Sequence, residues 1–303
     1  MVLAFFVILT LTFLIVQLLP GDPAVAVAGP QATNAEVEAV RTQLGLDVPL
    51  WEQYLTYLGN VLTGDLGTSF MWNLPVSEIV TTRLWYTTQL AIVAMLLTLL
   101  IALPLGMAVA VLTRDGRRRW LDALFGCLTG LFSTVPSYVL ATLLVAVVAV
   151  QMGAVPPAYS PGHEFKSAIL PVVALTIAPT CTMARIVRRE TDTVLTQDYI
   201  RTARGWRLPG SAIYLRYVLP NIVTVTLTLS GLVLASLLGG AVIVETVFSW
   251  PGLGSAIVAA ITNRDYPLIQ GVVLVLGMLA TLITLVVDVL LGVVDSRTLG
   301  GRS

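Results

Sequence analysis

The chain has 303 residues, 56% of them hydrophobic and only 11% charged, with 17 basic and 17 acidic side chains that cancel to a net charge of zero. Soluble domains carry about 25% charged residues, so this composition excludes a water-soluble globular domain; the cancelled charge by itself says nothing about nucleic-acid partners, none of which is expected, and the information lies in where each charge sits. Cys127 and Cys181 both fall in apolar stretches, where a small buried thiol is expected rather than a disulfide or a metal ligand.

In chain order, the first apolar run covers residues 2–19 and ends at Pro20, Gly21, Asp22 and Pro23, whose fixed angles and missing amide donors stop a helix. It lacks the positive leading segment of a signal peptide and further spans follow, so it is read as a retained transmembrane helix. Residues 20–83 are polar and acidic, an extracytoplasmic segment in which Trp51, Tyr54, Leu55 and Leu58 recur at the spacing of a short amphipathic interfacial helix. The remainder, 84–303, holds five more spans. The second covers about 87–112 and contains Pro104; the third, about 121–151, contains Pro136 and a weak GxxxG packing signal at Gly126 and Gly130. The fourth, about 169–186, is interrupted by Pro171 and Pro179; the fifth covers about 219–244 and the sixth about 268–294.

Basic residues sort these spans. Arg114, Arg117, Arg118 and Arg119 follow the second span, Arg185 to Arg216 follow the fourth, and Arg297 and Arg302 lie in the tail, so thirteen of the seventeen basic residues fall on one side. The positive-inside rule makes that side the cytoplasm, places the loop 190–220 there, and puts both termini inside.

No catalytic set emerges. His163 and Glu164 open an HE pair, but Ser167 stands where the zinc-binding HExxH motif needs its second histidine, and the only lysine, Lys166, follows Phe165 rather than a P-loop glycine. The chain is therefore read as a non-enzyme with no metal and no nucleotide of its own. Two intramembrane carboxylates remain to be explained. Glu245, at the outer edge of the fifth span, reads as a solvated or capped carboxylate, or else as a coupling site. Asp288, near the inner end of the sixth, reads as paired with a neighbouring helix, with proton transport as the alternative. The loop carries Asp198, Tyr199, Ile200, Arg201, Thr202, Ala203, Arg204, Gly205, Trp206, Arg207 and, further on, Ile213, Tyr214 and Pro220. Two short helices around a turn fit it. Anionic lipid headgroups would account for its arginines, whereas its apolar and aromatic residues favour a protein docking element.

Several motifs together resemble one family, the B-type permease subunits of bacterial dipeptide, oligopeptide and nickel ABC transporters. They are Leu18-Leu19-Pro20-Gly21-Asp22-Pro23, Gly64-Asp65-Leu66-Gly67, Asp198-Tyr199-Ile200-Arg201-Thr202-Ala203-Arg204, the run from Glu245 through Phe248, Ser249, Trp250, Pro251, Gly252 and Leu253 to Gly254, and Asn263-Arg264-Asp265-Tyr266-Pro267. The resemblance spans nearly the whole chain. It implies an all-α, polytopic protein of about six transmembrane helices with the type I ABC importer permease fold, resident in the bacterial cytoplasmic (inner) membrane. It also implies a C-type permease partner, two ABC ATPase subunits that carry ATP and Mg, and an extracytoplasmic substrate-binding protein. Residues 198–220 would be the ATPase-coupling segment. Ser249, Trp250, Pro251, Gly252 and Gly254 would form an outer gate or binding-protein loop, or else a structural cap. The expected solute is a dipeptide or oligopeptide; nickel or another small solute is the alternative, and a secondary transporter or channel is the rival class. In two respects the chain departs from the family's pattern. Arg207 stands where the family usually has glycine, so a reshaped turn is expected, and the basic segment that usually precedes the first helix is not seen before Val2.

Overall fold

The computed structural model describes residues 2–18, 22–29, 31–43 and 45–294. Leu19, Pro20, Gly21, Arg297 and Arg302 lie outside them, as does the side chain of Asp288. Among the described residues the chain is almost wholly helical, and its one extended pairing is a single bridge between Thr68 and Pro75. The helices are α1 (Val2–Leu18), α2 (Pro23–Ala28), α3 (Asn34–Gln43), α4 (Leu50–Leu62), α5 (Val76–Thr113), α6 (Arg119–Thr134), α7 (Ser137–Leu144), α8 (Glu164–Leu195), α9 (Asp198–Gly205), α10 (Gly210–Ile213), α11 (Leu219–Val247), α12 (Leu253–Thr262) and α13 (Tyr266–Val294). α5, α8, the run Gly210–Val247 and α13 are each long and apolar enough to cross a bilayer. α1, with 17 residues, is at the short end of the spanning range.

The third expected span is not a single rod. α6 and α7 meet at a bend of 93°, because Pro136 has no amide to donate and pushes Val135 out of the helical region, to φ −72°, ψ 123°. Pro104, Pro171 and Pro179 sit inside unbroken helices, the tolerance that membrane helices show when neighbouring groups cover the freed carbonyls. α8 also outruns its apolar stretch. It continues to Leu195, so the first residues expected in the cytoplasmic loop are helical.

The chain divides into two compact units, Met1–Thr88 with Ser249–Thr281, and Gln89–Phe248 with Leu282–Ser303. In the first, Asp22 caps α2 by accepting from the Ala24 amide at 3.0 Å and also pairs with Arg41 of α3. Thr33 and Glu36 form a reciprocal capping box at the start of α3, and the Thr33 amide holds the Glu36 carboxyl below its ordinary value. α4 leans on α1 through Tyr54 to Thr10 (2.9 Å), Tyr57 to Thr12 (3.0 Å) and the edge of Phe13. Its Trp51, Leu55 and Leu62 stay exposed, the stripe of an interfacial helix. The core of this unit joins Val76, Ile79 and Val80 of α5 to Leu253 and Ala260 of α12 and Leu268, Ile269 and Val272 of α13.

In the second unit α8 is the hub. Gly106 of α5 lets α8 approach so closely that a Cβ there would lie 2.6 Å from the Ala184 carbonyl oxygen. Arg188 of α8 pairs with Asp122 of α6 at 2.6 Å, and Arg185 donates to Ser133 at 3.0 Å. Two basic residues of the inner set therefore act between helices. By contrast, a Cβ at Gly126 or Gly130 would meet nothing within 4 Å, so the GxxxG spacing serves no close helix contact among the described residues. Glu245 is fully buried in α11, which corrects the expectation of a solvated carboxylate.

Candidate functional site

The segment after α8 is built as a clamp. α9 starts with Asp198, whose charge suits the positive helix N-terminus, and an i, i+3 stripe of Ile200 and Ala203 is buried at 0% and 1% exposure. These side chains pack with Val187, Val194 and Leu195 of α8, Ile213 and Val218 from the return segment, and Ile222 of α11, with Leu103, Met107 and Val111 of α5 alongside. Burying such a set stabilises the loop by roughly 1.5–3 kcal/mol per large side chain. Arg114, just past α5, donates to the Leu195 carbonyl at 3.4 Å and so covers the C-terminus of α8 where the loop leaves it. The loop is thus fixed to three long helices.

This arrangement corrects one reading of the sequence. Ile200 and Ile213 are covered by the chain itself, and Tyr214 packs against the same cluster. The residues left outward are Tyr199, 43% exposed, Trp206, 71% exposed, and the exposed Asp198, Arg201, Thr202, Arg204, Gly205 and Arg207. Arg201 and Asp198 approach to 3.6 Å, but both are so exposed that the pair adds little. Ala203 faces inward and offers nothing to a partner.

The end of α9 shows what became of the missing glycine. The Leu208 amide donates to the Ala203 carbonyl (3.4 Å) and the Arg207 amide to the Arg204 carbonyl (2.9 Å), the paired bonds of a Schellman cap. Leu208 and Ala203 share the buried cluster, which supplies the apolar contact that accompanies this cap. Such a cap needs a left-handed residue after the helix, and Arg207 adopts φ 55°. The turn is therefore not reshaped; the geometry that favours glycine is kept and a Cβ is strained into it at a cost of about 1–2 kcal/mol. Arg207→Gly is expected to raise the midpoint of thermal unfolding of the purified protein, by relieving about 1 kcal/mol. An unchanged or lowered midpoint would show that the guanidinium makes a compensating contact.

Beyond the turn, α10 does not stand apart as a second short helix. It passes through a widened π-helical turn, Tyr214–Val218, into α11, where Pro220 withholds the amide that a regular ladder would use.

On the first unit, Trp250 is 2% exposed, donates its indole N–H to the Tyr86 carbonyl at 3.3 Å and meets the Tyr86 ring edge-on. The Leu253 amide donates to Thr87 Oγ1 at 2.8 Å. Gly252 and Gly254 are buried, while Ser249 is exposed, at φ 49°, and Pro251 is half-buried. Most of the Ser-Trp-Pro-Gly-Leu-Gly run is thus turned inward, onto α5. Asp265 is the residue that sequence reasoning passed over except as a motif letter. Fully buried, it caps α13 by accepting from the Leu268 amide (3.3 Å) and holds the 69–71 loop by accepting from Ser69 Oγ and the Met71 amide. Nothing in the sequence pointed to Ser69, which is 196 positions away.

Comparison with known proteins fits this architecture. The family described as binding-protein-dependent transport system inner membrane component matches residues 102–300, and the N-terminal family of such membrane components matches residues 1–91. The chain is 38% identical over 290 residues to the glutathione transport system permease protein GsiC of Escherichia coli O6:H1, covering 96% of this chain and 93% of that one. It is 39% identical over 289 residues to GsiC of Salmonella typhimurium, covering 95% and 92%. Among solved structures it resembles a chain of the MetNI methionine ABC transporter in inward-facing conformations, with a TM-score of 0.59 and 19% identity over 72% of this chain and 97% of that one. At that identity the likeness speaks for the fold alone.

Proposed function

Since the chain belongs to the family of binding-protein-dependent transport system inner membrane components and is an ABC importer permease subunit, we propose that it forms half of a translocation pathway for dipeptides or oligopeptides. The peptide reading is supported by its similarity to permeases named for glutathione, a tripeptide. In this reading a C-type permease supplies the other half of the pathway, a binding protein delivers solute outside, and two ATPase subunits, holding ATP and Mg, dock on residues 198–220 inside. Both termini lie in the cytoplasm. The family assignment sets aside the secondary transporter or channel.

One observation carries the coupling role: α9 is locked inward through Ile200 and Ala203 while Tyr199 and Trp206 face out. A lever must be rigid toward the helices it moves and must offer differential contacts to the partner that moves it. Closure of the ATPase dimer pulls α9, and the buried cluster around Ile200 passes the displacement to α5, α8 and α11. Ser249 and Pro251, the surface part of their loop, act at the outer mouth, whereas Trp250, Gly252 and Gly254 serve as the cap beneath.

The test is replacement of Tyr199 and Trp206 together by alanine. Co-purification of the ATPase subunits and solute-stimulated hydrolysis are both expected to fall at least tenfold, the loss of about 1.4 kcal/mol or more that two buried aromatic anchors supply at an interface. Unchanged values would remove the docking assignment. Uptake of a labelled dipeptide, but not of nickel, by vesicles holding the complete complex and its binding protein tests the solute.

A further inference from the structure

Arg185 and Arg188 lie one turn apart on α8, yet their head groups part. Arg188 pairs with Asp122 in the first turn of α6, whereas Nη2 of Arg185 donates to Ser133 Oγ, in the last turn of that helix, at 3.0 Å. Ser133 stands 11 residues beyond Asp122, about 16 Å along the helix. An arginine near the end of a span ordinarily curls its head toward that end. Arg185 instead holds its guanidinium away from the arginine-rich end of α6, beside the bend that interrupts the third span.

That head group is open. Arg185 is half-buried and in no ion pair among the described residues. Ser133 takes one donor of the guanidinium fork, and no nitrogen of Arg185 is buried without a partner, in contrast to Nε of Arg188. The face it shares is polar as well. Thr182, Arg185, Arg189 and Thr193 recur at helical spacing on the open side of α8, whereas Leu96 and Leu100 of α5 and Leu124, Leu128 and Leu131 of α6 are the exposed residues of theirs. Leucine stripes suit acyl chains. A charge among hydroxyls within a span faces water or a polar partner instead, and marks a solute path.

We infer that Arg185 is a specificity-determining residue of the translocation pathway: its guanidinium, held in place by Ser133, takes a carboxylate of the passing solute. The planar fork matches a carboxylate with two parallel charge-assisted hydrogen bonds and repels a metal cation. The inference rests on the peptide reading above, because a free peptide brings a carboxylate at its C-terminus and a bare nickel ion brings none.

The experiment uses the full chain in its complex, without binding protein, in phosphatidylcholine nanodiscs. The probe in titration calorimetry is 3-phenylpropanoate, a carboxylate with no ammonium group. Saturable binding of this anion, but not of 3-phenylpropanamide, is expected. Arg185→Gln should weaken it about tenfold, the loss of a charge-assisted pair, and Arg185→Lys should recover part of that, since a point charge remains without the fork. Ser133→Ala cuts the same tie between α6 and α8 but keeps the cation. It should therefore move the melting point as Arg185→Gln does while weakening the probe only about threefold. Equal loss of binding in Arg185→Gln and Ser133→Ala would make Arg185 a helix tie alone and overturn the inference. Absence of probe binding would overturn it too, and is the result expected if a carboxylate of the partner permease already fills the fork. Competition by a dipeptide, but not by its C-terminal amide, joins Arg185 to peptide transport. Probe binding that Arg185→Gln weakens but no dipeptide displaces would keep Arg185 as a reader of carboxylates and refute the peptide reading instead.

Discussion

Asp265→Ala is expected to be the most damaging single truncation in the first unit, lowering stability by about 3–5 kcal/mol. The wild-type carboxylate is fully buried and accepts from Ser69 Oγ, the Met71 amide and the Leu268 amide. Removing it leaves those donors without an acceptor, at about 1–3 kcal/mol each when no water reaches them, and deletes the N-cap of α13, worth about 1 kcal/mol. The loop from Ser69 should then detach from the start of α13, and with it the packing of Val76 on that helix. Scanning fluorimetry of the purified protein checks the loss. Asp265→Asn should fall between the two, because its one oxygen can keep the helix cap or the loop amide but its NH₂ cannot accept from the other. If Asn matched Ala, the charge rather than the geometry of acceptance would hold the clasp.

The clasp also shows how far the sequence could be read. Span-forming runs are long and apolar, and the side assigned by arginine counting needs only composition, so the helical architecture was accessible. Pro136 was visible too, but whether a proline bends a helix or is absorbed depends on neighbours: Pro171 and Pro179 are carried in an unbroken α8, while Pro136 opens a 93° bend. Local spacing could not tell them apart. The same limit applied to the segment proposed for coupling. Tyr199 and Ile200 are adjacent and both apolar, yet one faces out and the other is sealed, a distinction fixed by what α5, α8 and α11 present to α9. Arg207 is the opposite case, where a departure in one letter marked the position, but the reshaped turn expected there is instead the glycine geometry kept with a Cβ strained into it.

That sealed residue gives the second large effect. Ile200→Ala removes three carbons from the cluster formed with Val187, Leu195, Ile213 and Ile222, where deletion costs transfer energy plus the cavity left behind, about 2–5 kcal/mol in all. Tyr199 and Trp206 would still be present to meet a partner, but α9 would no longer be stiffly joined to the long helices. The expected result is a lowered melting point and ATP hydrolysis that persists while vesicle uptake of solute drops, so that more ATP is spent per solute moved. Trp206→Ala should do the reverse. With 71% of that residue exposed, the melting point should move little, since surface changes usually stay within about 0.5 kcal/mol, while association with the ATPase subunits weakens. The two variants therefore separate holding the lever from grasping it. Equal behaviour in both assays would mean that α9 is not the element through which force passes, whatever its resemblance in sequence.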